Sequence, residues 1–378
     1  MKNYIKHAKM IIGDIMVKKK SSKIIVIITL LFFIVVLFLG LLIIIKPEIL
    51  KQHLNFGNMA IKNPNIPIEK KLTIVDENSN ARPIAIMIDN NIGNNSHYGL
   101  QQAYLTYEII VEGGLTRLMA IFKDKNVLQI GPVRSSRHYF LDYCLESDAI
   151  YAHFGWSPYA QNDIKKLDVN NINGMYDSTP FWRVNWLYAP HNVLTSTEKL
   201  YDEAKNKNYS LETKKWKLLD YSTEEINLEK VILKDKNKAT YEDNKLEAII
   251  ANNVQIEYSY NQNRSFEYDI NRKVYLRYMN NSPHIDAESG ETLNYKNIII
   301  EVVDNRTLDA EGRQDLNTTG SGEGYYVTNG YALPIVWEKQ NRNLKTIYKY
   351  KNGDIIKFND GNTIIEIISS LDNINIQQ

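Results

Sequence analysis

Apolar and polar positions divide the chain into stretches of different rhythm. Residues 24–45 carry no charge and are apolar at nearly every position, enough at about 1.5 Å per residue to cross a hydrocarbon core of roughly 30 Å. That pattern predicts a membrane-spanning helix. From residue 82, short apolar runs bounded by polar turns take over. Runs at 84–88, 107–111, 118–122 and 149–154 predict strands, and helical spacing predicts helices over 136–147, 159–167 and 196–205. Beyond 229 the pattern is extended almost throughout. Residues 254–260 alternate, and 274–278, 298–303, 325–328, 346–350, 355–358 and 363–368 repeat short strand signals between Asn, Gly and Asp turns. The expected fold class is α+β: a mixed α/β domain over 82–228, then a mainly β domain over 229–370 built as a small sandwich or barrel. Residues 46–81, rich in Asn, Lys and Pro without a sustained period, read as a stalk.

Charge orients the span. Lys18, Lys19, Lys20 and Lys23 precede it and Lys46 stands alone after it, so residues 1–23 form a cytoplasmic tail and the rest lies outside the plasma membrane, single-pass. A cleaved signal peptide is the rival reading. Its apolar region would be shorter and end in small residues, whereas this one ends in bulky Leu41 to Ile45. The tail reads either as a basic amphipathic helix on anionic lipid or as an unstructured basic segment, and a start at Met16 is a third reading. Residues 1–46 hold eight lysines against Asp14, so of the formal +1 on the chain the remainder carries about −6. A nucleic-acid partner, which needs a basic face, is excluded on that balance. Cys144 is the only cysteine, so no intramolecular disulfide forms and none stands near the span for lipid attachment.

Candidate chemistry gathers in the α/β part. Asp89 and Asn90 end an apolar strand, where open sheets place ligand sites, and Glu112 precedes a glycine pair. Arg134 and Arg137 follow Gly131-Pro132 at the expected opening of a helix, where two guanidinium forks and backbone N–H groups grip one anion. The competing reading pairs them with Asp89, Glu108 or Glu112 as a structural network. Arg117 and Arg183 are further ligand candidates. His153 and His191 suit acid-base work if Asp89 or Glu112 orients them; the plainer reading has His191 and Asn192 capping a turn. Asp304, Asp309, Glu311 and Asp315, with His284 and Asp286 nearby, read as solvated turns rather than a metal site, and the glycines of residues 320–324 as tight turns. The aromatics Tyr151, Trp156, Tyr159, Tyr176, Trp182, Trp186 and Tyr188 suit stacking on sugar faces or plain core filling. No HExxH, CxxC or GxSxG occurs, which leaves zinc, redox and α/β-hydrolase chemistry without a motif.

The strings RPIAIMIDN (82–90), VEGGLTR (111–117), IGPVRSSR (130–137), APHN (189–192), PHID (283–286), DAEGR (309–313) and GSGEGY (320–325) occur in that order. Over residues 82–368 the chain therefore resembles the YerB-like family of Gram-positive envelope lipoproteins, a family of unknown function. The resemblance implies a two-domain extracytoplasmic protein and supplies no reaction. Two departures stand out. The lipobox cysteine usual in the family is missing, so the apolar span is the expected anchor, and Trp156 in HFGWSP replaces the second of two glycines.

Three functions fit. The first is binding of an anionic envelope ligand, a peptidoglycan fragment or lipid-linked phosphate, with no cofactor. The second is an enzyme resembling LytR-CpsA-Psr phosphotransferases, with Mg²⁺ on Asp89 or Glu112. The third is a structural partner of another envelope protein.

Overall fold

In the computed structural model residues 70–91, 96–228 and 248–378 are described; the span expected at 24–45, the tail before it and residues 46–69 of the stalk lie outside them. No helix among the described residues is long and apolar enough to cross a membrane.

The apolar runs become strands. Leaving aside short pairs outside the two main sheets, they begin with β1 (Ile84–Asp89), β2 (Leu105–Ile110), β3 (Thr116–Phe122), β4 (Ile150–His153), β5 (Asn171–Asn173) and β6 (Ile249–Ile250). Then come β7 (Asn253–Ser259), β8 (Gln262–Asp269), β9 (Val274–Met279), β10 (Asn297–Val302), β11 (Gly320–Thr328) and β12 (Tyr331–Lys339). The last are β13 (Ile347–Tyr350), β14 (Thr363–Ile368) and β15 (Ile374–Gln377). Among the described residues an eleven-stranded sheet runs in the order β6-β12-β11-β10-β14-β2-β3-β1-β4-β5, with β13 outside β12. β14 lies parallel to both β10 and β2, so the sheet crosses the division expected at residue 229. A second, antiparallel sheet, built on β9, β8, β7 and β15 with two-residue strands at 282–283 and 294–295 beside β9, packs on the β10–β14 region through Val254, Ile256, Phe266, Ile298, Ile300 and Ile364. A sandwich does form, but one of its sheets is shared with the α/β part, and no separate barrel closes.

The continuous apolar strands have this form because both faces are covered. Ile84, Ile86 and Ile88 of β1 enter one core while Ala85 and Met87 enter another, and each buried isoleucine contributes roughly 1.5–3 kcal/mol. Polar residues within such strands are therefore informative. Glu108 of β2 and Glu366 of β14 stand in register, fully buried, on the face beneath the second sheet.

Among the described residues three α-helices accompany the sheet: α1 (Phe140–Glu146), α2 (Pro158–Lys166) and α3 (Thr197–Asn206). Ser157 and Ser196 cap the last two by accepting from the N–H of Ala160 and Lys199. The helix expected from residue 136 begins only at Phe140. Ser136 is bridged to Trp156 and its N–H donates to the Gly155 carbonyl at 3.0 Å, which keeps the backbone before α1 out of a helix. The glycines at 320–324 are also corrected: they lie inside β11, not in a tight turn. A Cβ at Gly324 would stand 1.8 Å from the Ile300 carbonyl oxygen, and one at Gly322 would meet Trp337, so close approach requires them.

Candidate functional site

Asp89 ends β1 opposite Arg117 of β3, and its side chain is buried. Its Oδ2 accepts from His191 Nδ1 at 2.5 Å, Arg134 Nε stands 3.1 Å from the same oxygen, and Oδ1 accepts from the Asn91 N–H. Arg134 reaches this place because the bridge between Ile88 and Val133 and the bond from its own N–H to the Met87 carbonyl lay residues 133–134 along β1. Its Nε is buried and, despite the short distance, has no aligned hydrogen bond.

Glu112 takes Arg137 through both oxygens, at 2.5 and 2.8 Å. Although burial works the other way, the Arg137 bond and charge hold this carboxyl below its usual range. The single-anion grip expected at a helix opening is therefore not what is built: Arg134 and Arg137 each face a different carboxylate, and no helix opens there. Arg117 donates to the Ser135 carbonyl at 2.7 Å and lies between these pairs. Burial, with the like charges of Arg137 and Arg134, lowers its pKa to about 10. Three guanidiniums thus share two carboxylates, leaving an excess positive charge.

The other candidates divide. Asn192 closes a hairpin, accepting from Arg183 at 2.6 Å and donating to the Val184 carbonyl at 3.0 Å, while Arg183 also covers the Phe154 ring. His191, on the same turn, bonds Asp89 instead of capping. His153 does not join the site. Its Nδ1 faces the Gly155 carbonyl and its Nε2 faces Asn171, and burial lowers its pKa to about 4. Asn90 points inward, donating to Glu108 and Thr116.

That inward side holds groups for which the sequence offers no pattern. Glu108 Oε1 accepts from Arg264 Nε at 2.6 Å and from Thr116 at 2.7 Å, and Oε2 accepts from Arg277. Burial opposes ionisation, yet Arg264 and Arg277 keep Glu108 below its ordinary range, while burial beside Glu108 pushes Glu366 up to about 8. Arg277 also donates to His284 Nδ1; an arginine has no acceptor, so His284 carries its proton on Nε2. That Nε2 faces His97 Nδ1 at 2.5 Å, and His97 Nε2 donates to the Asp89 carbonyl at 2.5 Å. One chain of donors therefore runs from Arg277 through two neutral histidines to the backbone of Asp89. Burial lowers His97 to about 4 and, with Arg277, His284 well below its usual value. His284 is thus no solvated turn residue.

Around the open side stand exposed apolar groups. Tyr188, 90% exposed, offers its carbonyl to the His191 N–H, and exposed Met175 lies beside Gly155 and Ser135. Tyr176 stacks on Trp156 at 5.6 Å, and Trp186 donates to Tyr98. Aromatic faces beside charge suit sugars. Mg²⁺ does not fit this donor set: Asp89 Oδ2 and both Glu112 oxygens already face cations, so a metal would first have to displace a guanidinium.

Two family profiles match, the N-terminal domain of a protein of unknown function (DUF3048) at residues 72–210 and its C-terminal domain at 254–365. A Bacillus subtilis (strain 168) protein named as a lipoprotein, YerB, is 28% identical over 295 residues, 77% of this chain and 82% of its own. The crystal structure of YerB protein from Bacillus subtilis superimposes with a TM-score of 0.67 at 28% identity, covering 79% of this chain and 94% of that one.

Proposed function

We propose, from the premise that this chain belongs to the YerB-like DUF3048 family, that it is a membrane-anchored, extracytoplasmic protein binding an anionic ligand of the cell envelope. The ligand is a peptidoglycan fragment or a lipid-linked phosphate. The observation that carries the reading is the charge imbalance: among the described residues Arg117, Arg134 and Arg137 share only Asp89 and Glu112, and Arg117 has its pKa lowered by burial and by its neighbours. An incoming anion relieves that repulsion, and guanidinium forks match phosphate and carboxylate oxygens. The exposed aromatic rim adds sugar-stacking faces. The envelope location is supported by the name of the YerB relative, and the anchor by the uncharged run at 24–45.

The test is binding of the detergent-solubilised full chain to polyprenyl pyrophosphate and to muropeptides, with and without Mg²⁺, beside an Arg134→Ala, Arg137→Ala double variant. Binding lost in a still-folded variant is the expected result. A wild-type chain that binds neither ligand would overturn the reading and favour a protein partner.

A further inference from the structure

The site holds one group that anion binding does not use. His191 is a surface-loop residue, yet its Nδ1 is committed at 2.5 Å to a carboxylate that is itself buried, while its Nε2 has no hydrogen-bond partner among the described residues. The side chain is 30% exposed, so the ring is reached from solvent. Asp89 accepts at Nδ1, which fixes the neutral tautomer: the proton sits on Nδ1 and the lone pair on Nε2. Its own position is secured from three directions. Arg134 stands at the carboxylate, the Asn91 N–H bonds Oδ1, and His97 holds the main-chain carbonyl from below. A histidine with one nitrogen oriented by a fixed acid and the other bare is the arrangement a general base requires. A simple turn would need neither the buried acid nor the donor chain beneath it.

Resting on the binding reading above, we infer that this site also hydrolyses a phosphate ester, with His191 Nε2 as general base, Asp89 as the positioning residue, and Arg117 and Arg134 as the electrostatic clamp. Water gives a proton to Nε2 as its oxygen bonds to phosphorus. The bond from phosphorus to the leaving oxygen breaks, and the leaving alkoxide takes the proton back from the imidazolium. Products are the phosphate monoester, or inorganic phosphate, and an alcohol; no oxidant or further reactant is needed. A phosphoryl group is favoured over a carboxyl ester because its transition state spreads charge over several oxygens, which several guanidiniums stabilise together.

The experiment uses the full chain in detergent with bis(p-nitrophenyl) phosphate and p-nitrophenyl phosphate as substrates and inorganic pyrophosphate as the binding probe. His191→Asn keeps a donor toward Asp89 and removes only the Nε2 position. The expected result is release of p-nitrophenol by wild type and a fall of about 100-fold or more in the variant, which still binds pyrophosphate. Wild-type pyrophosphate binding without hydrolysis of either ester overturns the inference and leaves the binding reading standing. Equal rates in His191→Asn also overturn it, since the base would then be elsewhere. Failure to bind pyrophosphate strikes at the binding reading itself.

Discussion

The molecule uses arginine-carboxylate pairs in two settings a few residues apart. Around Glu108, with Arg264 and Arg277, the pairs are sealed between two sheets with no exposed side-chain surface. Around Asp89 and Glu112 the same chemistry is left partly open, with Arg134 24% exposed. Asp89 and Asn90 are adjacent in sequence and belong to different settings, because successive residues of an extended chain face opposite ways. The sealed set is closed to solvent and serves as scaffold; the open set leaves its guanidiniums within reach of solvent. Depth, not residue type, separates the sealed scaffold from the open set at which binding is proposed, and the His97–His284 chain connects the two.

The comparison breaks most directly from the sealed side. Arg277→Met strips a charge from Glu108 and the donor from His284, and is expected to cost about 3–5 kcal/mol in urea denaturation. A loss below about 1 kcal/mol would show that water reaches the cluster. Next in size is acid. His97 titrates at about 4 in the folded chain against 6.5 ordinarily, so the unfolded state binds more protons between those values. Stability is therefore full above pH 6.5 and falls as pH drops toward 4, each unit of displacement being worth about 1.4 kcal/mol. His153, also at about 4, and His284 act in the same direction. His97→Gln keeps a donor toward the Asp89 carbonyl and should show a shallower fall over this window; an identical slope would exclude His97 as a contributor. The smallest effect is expected on the open side. Arg137→Gln breaks a pair only partly shielded from solvent and leaves a neutral donor toward Glu112, and should shift stability by about 1–2 kcal/mol. A loss as large as that of Arg277→Met would erase the distinction between the two settings.

The sequence made the sealed and open sides unequally legible. β1 and β14 match the expected apolar runs because strands covered on both faces leave an unbroken signature. The start of α1 was not legible: what holds residues 134–137 out of the helix is Trp156 and Gly155, and no local preference of Ser136 or Arg137 reports them. Asp89 was visible as a carboxylate ending a strand, and a histidine oriented by Asp89 or Glu112 was one of the readings; which histidine depends on a hairpin a hundred residues away. Glu108 was visible only as a possible ion partner. Its partners Arg264 and Arg277 stand on strands whose alternation looks ordinary, and His97 sits in a polar stretch with no period at all. Pairing across that separation leaves no trace in a single sequence.

The place of β14 bears on how the protein is made. Residues 363–368 supply the partner for β2, which is synthesised some 250 residues before them. Until they emerge, β2 presents a bare edge on that side, although Arg264 and Arg277, the partners of Glu108, are made sooner. Completion of the large sheet thus waits for residues 363–368, and the nascent chain must be shielded from pairing with its neighbours in the meantime.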